Sequence, residues 1–202
     1  GDGLVLDQEG CGHFSLQLIP FHLQIPGRHN ALNALAAAAV GHQCGIPWPD
    51  IQAALAAFRP VRMRSETLRK GGVCVINDCY NANPESVRAA LDALASREVD
   101  SGRRVAVLGD MLELGRTGPG LHAEIGVHVA RLGLDVLAAT GELSRHTVMA
   151  ARQAGMSPDA AQHFADAHAL AGFVRANGRR GDTILVKASR GMTLDRILNS
   201  IT

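Results

Sequence analysis

Four stretches of this chain gather residues able to do chemistry. The run Val186-Lys187-Ala188-Ser189-Arg190-Gly191-Met192 puts two cations and a hydroxyl before a helix entrance. Such a set can receive a carboxylate or a phosphate, because charge-assisted hydrogen bonds to either are short and strong. A solvated basic loop is the competing reading, and the adjacent glycine, which permits close backbone approach, weighs against it. The run Ile76-Asn77-Asp78-Cys79-Tyr80-Asn81-Ala82-Asn83-Pro84 places Asp78 just past an apolar strand, with Tyr80, Asn81 and Asn83 behind it. Asp78 can accept from a ribose hydroxyl or orient a basic group near phosphate, but Asn and Asp are also turn formers. In Gly27-Arg28-His29-Asn30-Ala31-Leu32-Asn33, the amides of Asn30 and Asn33 fall on one face of a first helical turn. Carboxamides both donate and accept, so they match an adenine edge; Asn30 could instead be a plain N-cap. The run Leu108-Gly109-Asp110-Met111-Leu112-Glu113-Leu114-Gly115 lacks the G-x-G-x-x-G spacing of a dinucleotide loop. His122, a turn further on, fits a structural role better than a catalytic one, because lone histidines have many such uses.

These runs must be positioned by regular elements. Residues 1 to about 26 read as short strands, including Leu4-Val5-Leu6 and the alternating Phe14, Leu16 and Leu18. An alanine-rich helix follows from about Asn30 to Cys44, then a second ending near Phe58. Arg59-Pro60 marks a domain boundary, giving 1–60 and 61–202. Beyond it comes a hairpin, Glu66–Arg69 and Val73–Ile76, turning at Gly71-Gly72. Pro84–Ala95 is a helix with Asn83 as N-cap and Pro84 at the position where a missing N–H is harmless. Strands and helices then alternate to a last helix over Thr193–Ile201. That order predicts an α/β fold with a mostly parallel, Rossmann-like sheet covered on both faces. Ligands in such sheets sit beyond the carboxyl ends of the strands, where the Asp78, Gly109 and Lys187 loops fall. Residues 1 to about 60 lack most of the sheet they should pack on, so their apolar helix faces should lie exposed or be buried in crystal or dimer contacts.

Composition narrows the function classes. Of 202 residues, 47% are hydrophobic and only 3% aromatic, which suits aliphatic strands under alanine-rich helices. With a formal net charge of +1 and no long basic run, the chain lacks the clustered face that nucleic-acid binding needs. The four cysteines (Cys11, Cys44, Cys74, Cys79) have no C-x-x-C pair or zinc-ligand spacing, so a reducing compartment is the simplest reading. No apolar run spans a bilayer, and Gly1-Asp2-Gly3 is neither an initiator Met nor a signal sequence; an internal start is expected. No P-loop, H-E-x-x-H or G-x-S-x-G motif occurs.

Taken in order, these motifs resemble the Mur ligase family of ATP-dependent amide ligases over nearly the whole chain. Gly27 to Ala39 is similar to the family's G-x-H-N-x-x-N-x-x-A-A signature. The resemblance implies that Asn33 contacts adenine with Asn30 beside it, and that Arg64 reaches the ATP phosphates. It implies that Asp78 helps hold ATP, with Arg64 and Asp78 as the catalytic pair. Lys187, Ser189 and Arg190 look like the family's late loop near the incoming amine and the peptide end. The Tyr-Asn-Ala-Asn-Pro run (Tyr80, Asn81, Asn83) and the Leu-Gly-Asp-Met-Leu-Glu-Leu-Gly run are similar to the branch that adds D-alanyl-D-alanine to a UDP-N-acetylmuramoyl-tripeptide. Residues 1–60 would then be the tail of a central ATPase domain and 61–202 the family's C-terminal domain. ATP and Mg²⁺ are implied, the metal's ligands lying outside this chain, and so is a cytoplasmic, acyl-phosphate mechanism to which this chain, inactive alone, supplies half the site. Met63, Cys79 and Ala188 depart from the usual Gly, Ser and Gly. A stand-alone nucleotide- or peptide-binding module, or a ligase of the folylpolyglutamate synthetase kind, are the alternatives.

Overall fold

The computed structural model describes residues 2–59, 62–99 and 102–200. Pro60, half of the expected boundary, lies outside them. The chain forms two compact units, 1–60 with 96–98, and 61–95 with 99–202.

In the smaller unit, β1 (Asp2–Leu6), β2 (Cys11–Leu16) and β3 (Ile19–Pro26) make an antiparallel sheet. Phe14 and Phe21 face each other across β2 and β3 and stack in the core of this unit. Leu18, expected to continue the strand alternation, instead sits in the intervening turn with φ 66°, almost fully exposed. Two helices follow, α1 (Arg28–Gln43) and α2 (Trp48–Ala57). α1 begins two residues earlier than expected. Gly27, at φ 106°, is its N-cap, a backbone shape that glycine takes without steric cost. Asn30 is therefore no N-cap; its Nδ2 donates back to the Pro26 carbonyl at 2.7 Å. α1 buries Ala31, Ala34 and Ala38, whose small size lets it lie close to the sheet. Leu32, Ala36, Ala39 and Val40, at helical spacing, form an exposed apolar stripe, as expected of this segment.

The larger unit is a six-stranded sheet in the order β4-β5-β9-β6-β7-β8. The hairpin β4 (Glu66–Lys70) and β5 (Val73–Asn77) is antiparallel, while β6 (Arg104–Leu108), β7 (Val136–Thr140), β8 (Ala161–Phe164) and β9 (Thr183–Lys187) extend it in parallel. The chain moves along the sheet through α3 (Pro84–Ala95), α4 (Gly118–Arg131) and α5 (Ser144–Gln153). Their apolar faces (Leu91, Leu94, Ile125, Val129, Val148) share one core with Ala106, Leu137 and Leu185. Next α6 (Ala167–Asn177) carries the chain back, and its Leu170 and Val174 join Val75, Val107, Ile184 and Val186 on the other face. Right-handed crossovers require this: reversing direction along a parallel sheet moves the connecting helix to the opposite face. Successive β9 residues feed opposite cores, so the strand reads as a continuous apolar run. Gly126 sets how closely α4 meets α5, since a Cβ there would stand 2.0 Å from the Thr147 carbonyl oxygen.

The last segment differs from the expected α-helix. It forms two 3₁₀ stretches, Arg190–Met192 and Leu194–Ser200, separated by Thr193 at φ 47°. A left-handed residue cannot continue an α-helix, so tighter i→i+3 bonds such as Arg196 N–H to the Thr193 carbonyl take over.

Candidate functional site

β9 arrives late in sequence but lies between β5 and β6, so the connections diverge around it. A crevice is expected at such a switch point, beyond the carboxyl ends of the strands. The loops after β5, β6 and β9 meet there.

Asp78 and Lys187 stand at the ends of adjacent parallel strands. Lys187, 2% exposed, donates from Nζ to Asp78 Oδ2 at 2.5 Å and to the Asn81 carbonyl at 2.9 Å. Asp78 Oδ1 accepts the Ser65 N–H at 2.9 Å. One carboxylate thus ties β9 to the segment that carries Arg64. That segment is strained: Met63 and Ser65 on either side of Arg64 have φ 65° and 48°. Left-handed backbone costs a non-glycine residue about 1–2 kcal/mol. Three further bonds hold it, Tyr80 N–H to the Met63 carbonyl (3.0 Å), Met63 N–H to Glu66 Oε2 (3.1 Å) and Asn77 Nδ2 to the same Glu66 oxygen (3.1 Å). Met63 keeps its left-handed, glycine-like shape under this bracing.

The outcome is the placement of two guanidiniums. Arg64 Cζ lies 3.9 Å and Arg190 Cζ 5.2 Å from the centre of the Tyr80 ring. The ring's negative face attracts both cations, yet neither has a carboxylate within ion-pair distance among the described residues. Two like charges over one ring, with no carboxylate at ion-pair distance among the described residues, make an arrangement that can receive an anion.

The β6 and β9 loops are locked together. Ser189 Oγ accepts the Leu112 N–H at 2.9 Å, and Ser189 N–H donates to the Asp110 carbonyl at 3.0 Å. Asp110, buried, accepts from Ser144 N–H and Ser144 Oγ (both 2.7 Å) and from Leu143 N–H (3.2 Å), capping α5 from another element. Gly141 makes room, since a Cβ there would stand 2.3 Å from that carboxylate. His122 accepts the Met111 N–H at Nε2 (3.0 Å), so its Nδ1–H donates to the Gly118 carbonyl (2.8 Å). Burial, the largest influence, pushes its pKa below 6.5, in keeping with this neutral tautomer. Ala188 is accommodated because Gly109 has no side chain; a Cβ there would meet that of Ala188 at 2.8 Å. Cys79 donates from Sγ to the Val186 carbonyl at 3.4 Å, and burial pushes its thiol up to about 12.

Arg64, Asp78, Tyr80, Lys187, Ser189 and Arg190 are therefore brought together. Asn81 joins them through its carbonyl, while its Oδ1 accepts the Ala82 N–H at 2.9 Å. The Asn83 side chain is engaged as N-cap of α3, accepting the Ser86 N–H at 2.8 Å. Asn30 and Asn33 belong to the smaller unit, where they line a cavity of about 290 Å³ with Leu23, Ile25, Leu55 and Phe58. Glu66 and Asp110 were missed as site-building residues. Glu66 was within reach, because the Gly71-Gly72 turn fixes the hairpin register and puts it opposite Asn77. Asp110 had no local signal. Among the described residues, no group of three or more His, Cys, Asp or Glu is placed to hold a metal ion.

Residues 63–190 match the model of the Mur ligase, glutamate ligase domain. The chain belongs to the Mur ligase family. Its relatives include the UDP-N-acetylmuramoyl-tripeptide–D-alanyl-D-alanine ligase of Bacillus subtilis, 36% identical over 197 residues, covering 96% of this chain and 42% of the relative. The Escherichia coli protein of the same name is 34% identical over 182 residues, covering 89% of this chain and 38% of its own length. A crystal structure of MurF from Acinetobacter baumannii superposes with a TM-score of 0.86 at 25% identity, over 99% of this chain and 44% of that one. MurF ligase from Thermotoga maritima in complex with ADP shares the fold, with a TM-score of 0.79 at 24% identity over 97% of this chain and 44% of that one. The chain thus spans about two-fifths of the length of such relatives. Membership assigns the parallel sheet and its loaded carboxyl edge to a Mur ligase C-terminal domain.

Proposed function

We propose that this chain is the C-terminal part of a cytoplasmic, ATP-dependent ligase that joins D-alanyl-D-alanine to UDP-N-acetylmuramoyl-tripeptide in peptidoglycan precursor synthesis. The observation that carries the reading is the pair of guanidiniums on Tyr80, without a counter-ion among the described residues and braced by the Lys187–Asp78 pair. An acyl-phosphate route needs that electrostatics: phosphate transfer to the tripeptide carboxylate, attack by the dipeptide amine and loss of phosphate all concentrate negative charge. Arg64 is the residue for the phosphates, and Arg190 the one for a carboxylate of the incoming dipeptide. Asp78 and Lys187 hold the Arg64 segment in place, and Asp78 is offered to the nucleotide from that braced position. Asn30 and Asn33, whose amides edge an otherwise apolar cavity, suit a purine base.

Residues 1–60 are then the end of the nucleotide-binding domain and 61–202 the C-terminal domain. The exposed stripe of α1 packs against the preceding part of that nucleotide-binding domain. Mg²⁺ takes its ligands there too, along with the P-loop, so this chain alone is inactive. Among the described residues no helix is long and apolar enough to cross a membrane.

The test is phosphate release by a ligase carrying this chain at its C-terminal end, supplied with ATP, UDP-N-acetylmuramoyl-tripeptide and a panel of amines. Turnover should depend on D-alanyl-D-alanine. Turnover with glutamate instead would favour the folylpolyglutamate type, and nucleotide binding without release under any amine would favour a binding module.

A further inference from the structure

One large aliphatic side chain stands exposed on the polar rim. Leu112 is 39% exposed, although the adjoining Met111 is buried and the loop is pinned on both sides. Its own N–H is held by Ser189 Oγ and that of Met111 by His122, so the exposure is built in and is not an unmade contact. Glu113 follows at φ 65°, a strained shape of the kind that persists only where surrounding bonds impose it. The isobutyl group lies over the Gly191 backbone: a Cβ on Gly191 would stand 3.0 Å from Leu112 Cδ1. Gly191 adjoins Arg190, whose guanidinium shares the Tyr80 ring with Arg64. Leu112 thus packs on the residue next in sequence to Arg190, a cation with no carboxylate at ion-pair distance among the described residues. That juxtaposition fits a ligand carrying a carboxylate and a small aliphatic group on one carbon.

We propose that Leu112 is a specificity residue for the incoming amine, packing on the methyl group of a C-terminal alanine whose carboxylate Arg190 holds. This inference rests on the ligase reading above. A side chain at 191 would press on the leucine and shift its end by a few tenths of an ångström. One methyl group in an apolar pocket is worth roughly 10–200-fold in discrimination.

The experiment compares kcat/KM for D-alanyl-D-alanine with that for D-alanyl-glycine in a ligase carrying this chain. The unaltered ligase should prefer the alanyl dipeptide by about 10-fold or more. Leu112→Ala should bring the ratio close to one through a raised KM for D-alanyl-D-alanine, with the KM for ATP unchanged. Leu112→Met, similar in volume, should keep most of the preference and shows that the loop still folds. An unaltered ratio in Leu112→Ala, with D-alanyl-D-alanine still a substrate, overturns this inference alone. Failure of the unaltered ligase to use D-alanyl-D-alanine overturns the ligase reading and this inference with it.

Discussion

The two edges of the six-stranded sheet use the same residue types to opposite ends. At the amino edge, before β6 and β9, Arg103 and the buried Asp182 form a closed pair. Arg103 donates from its guanidinium to Asp182 Oδ2 at 2.7 Å, and the N–H groups of Arg103 and Arg179 each donate to the same carboxylate at 2.9 Å. Burial alone would raise the Asp182 pKa, but the Arg103 guanidinium and these amides outweigh it and hold the carboxyl below its usual value. At the carboxyl edge, Lys187 and Asp78 are also paired, yet Arg64 and Arg190 beside them have no counter-ion among the described residues. The difference is that Asp182 and Arg103 satisfy one another within a closed pair, whereas Lys187 and Asp78 brace a segment whose neighbouring Arg64 and Arg190 stay open.

Substitutions should separate the edges. Lys187→Ala should have the largest effect, costing about 3–5 kcal/mol because it strands the Asp78 carboxylate, and it should also lower kcat by freeing the Arg64 segment. Chemical denaturation and steady-state turnover of a ligase carrying this chain check the two halves. Asp182→Ala should cost a similar roughly 3–5 kcal/mol in denaturation yet leave turnover per folded molecule unchanged. Because the folded pKa of Asp182 is depressed, its contribution is complete above the ordinary carboxylate range. It is lost as pH falls through the lowered value, and Asp182→Asn should remove that acid dependence. Arg64→Ala should reverse the pattern: a loss of roughly 100–1000-fold in kcat with stability within about 0.5 kcal/mol, as the side chain is exposed. Comparable turnover in Asp182→Ala and Lys187→Ala would erase the proposed contrast.

Smaller effects sharpen it. His122 has a folded pKa below 6.5, so the stability from its neutral form is complete above pH 6.5 and declines as pH drops from there through the lowered value. His122→Gln should flatten that part of the denaturation profile. The smallest effect is on thiol chemistry. Cys79 and Cys11, pushed by burial up to about 12 and 11, should resist alkylation at pH 8 in the folded chain, whereas the exposed Cys44 should react. Rapid labelling of Cys79 would show the β5 loop to be open.

Much of the placement of these loops is legible in the sequence. The alternation of strand and helix placed Asp78, Gly109 and Lys187 at one edge, because a parallel sheet brings every strand's carboxyl end to the same side. Polar spacing marked Tyr80 and Arg190 as members of chemical loops. What escaped notice was long-range or conformational. Lys187 bonds Asp78 across 109 positions, and Asp110 caps α5 across 34, separations at which sequence carries no geometric signal. Asn30 looked like a cap because Asn often is one, and only the backbone of Gly27 shows the helix already begun. Thr193 in left-handed conformation, which ends the expected final helix, is equally invisible to propensity.

The amino-acid sequence by itself determined the layers, the strand order of appearance and which loops carry charge, because hydrophobic period and turn chemistry are local properties. Tertiary structure decided which charges are cancelled and which stay open. Insertion of β9 between β5 and β6 puts Lys187 against Asp78, and the strained turn so braced lays Arg64 on the ring that also receives Arg190. Pairing of charges depends on distance in space, and distance in space is set by packing.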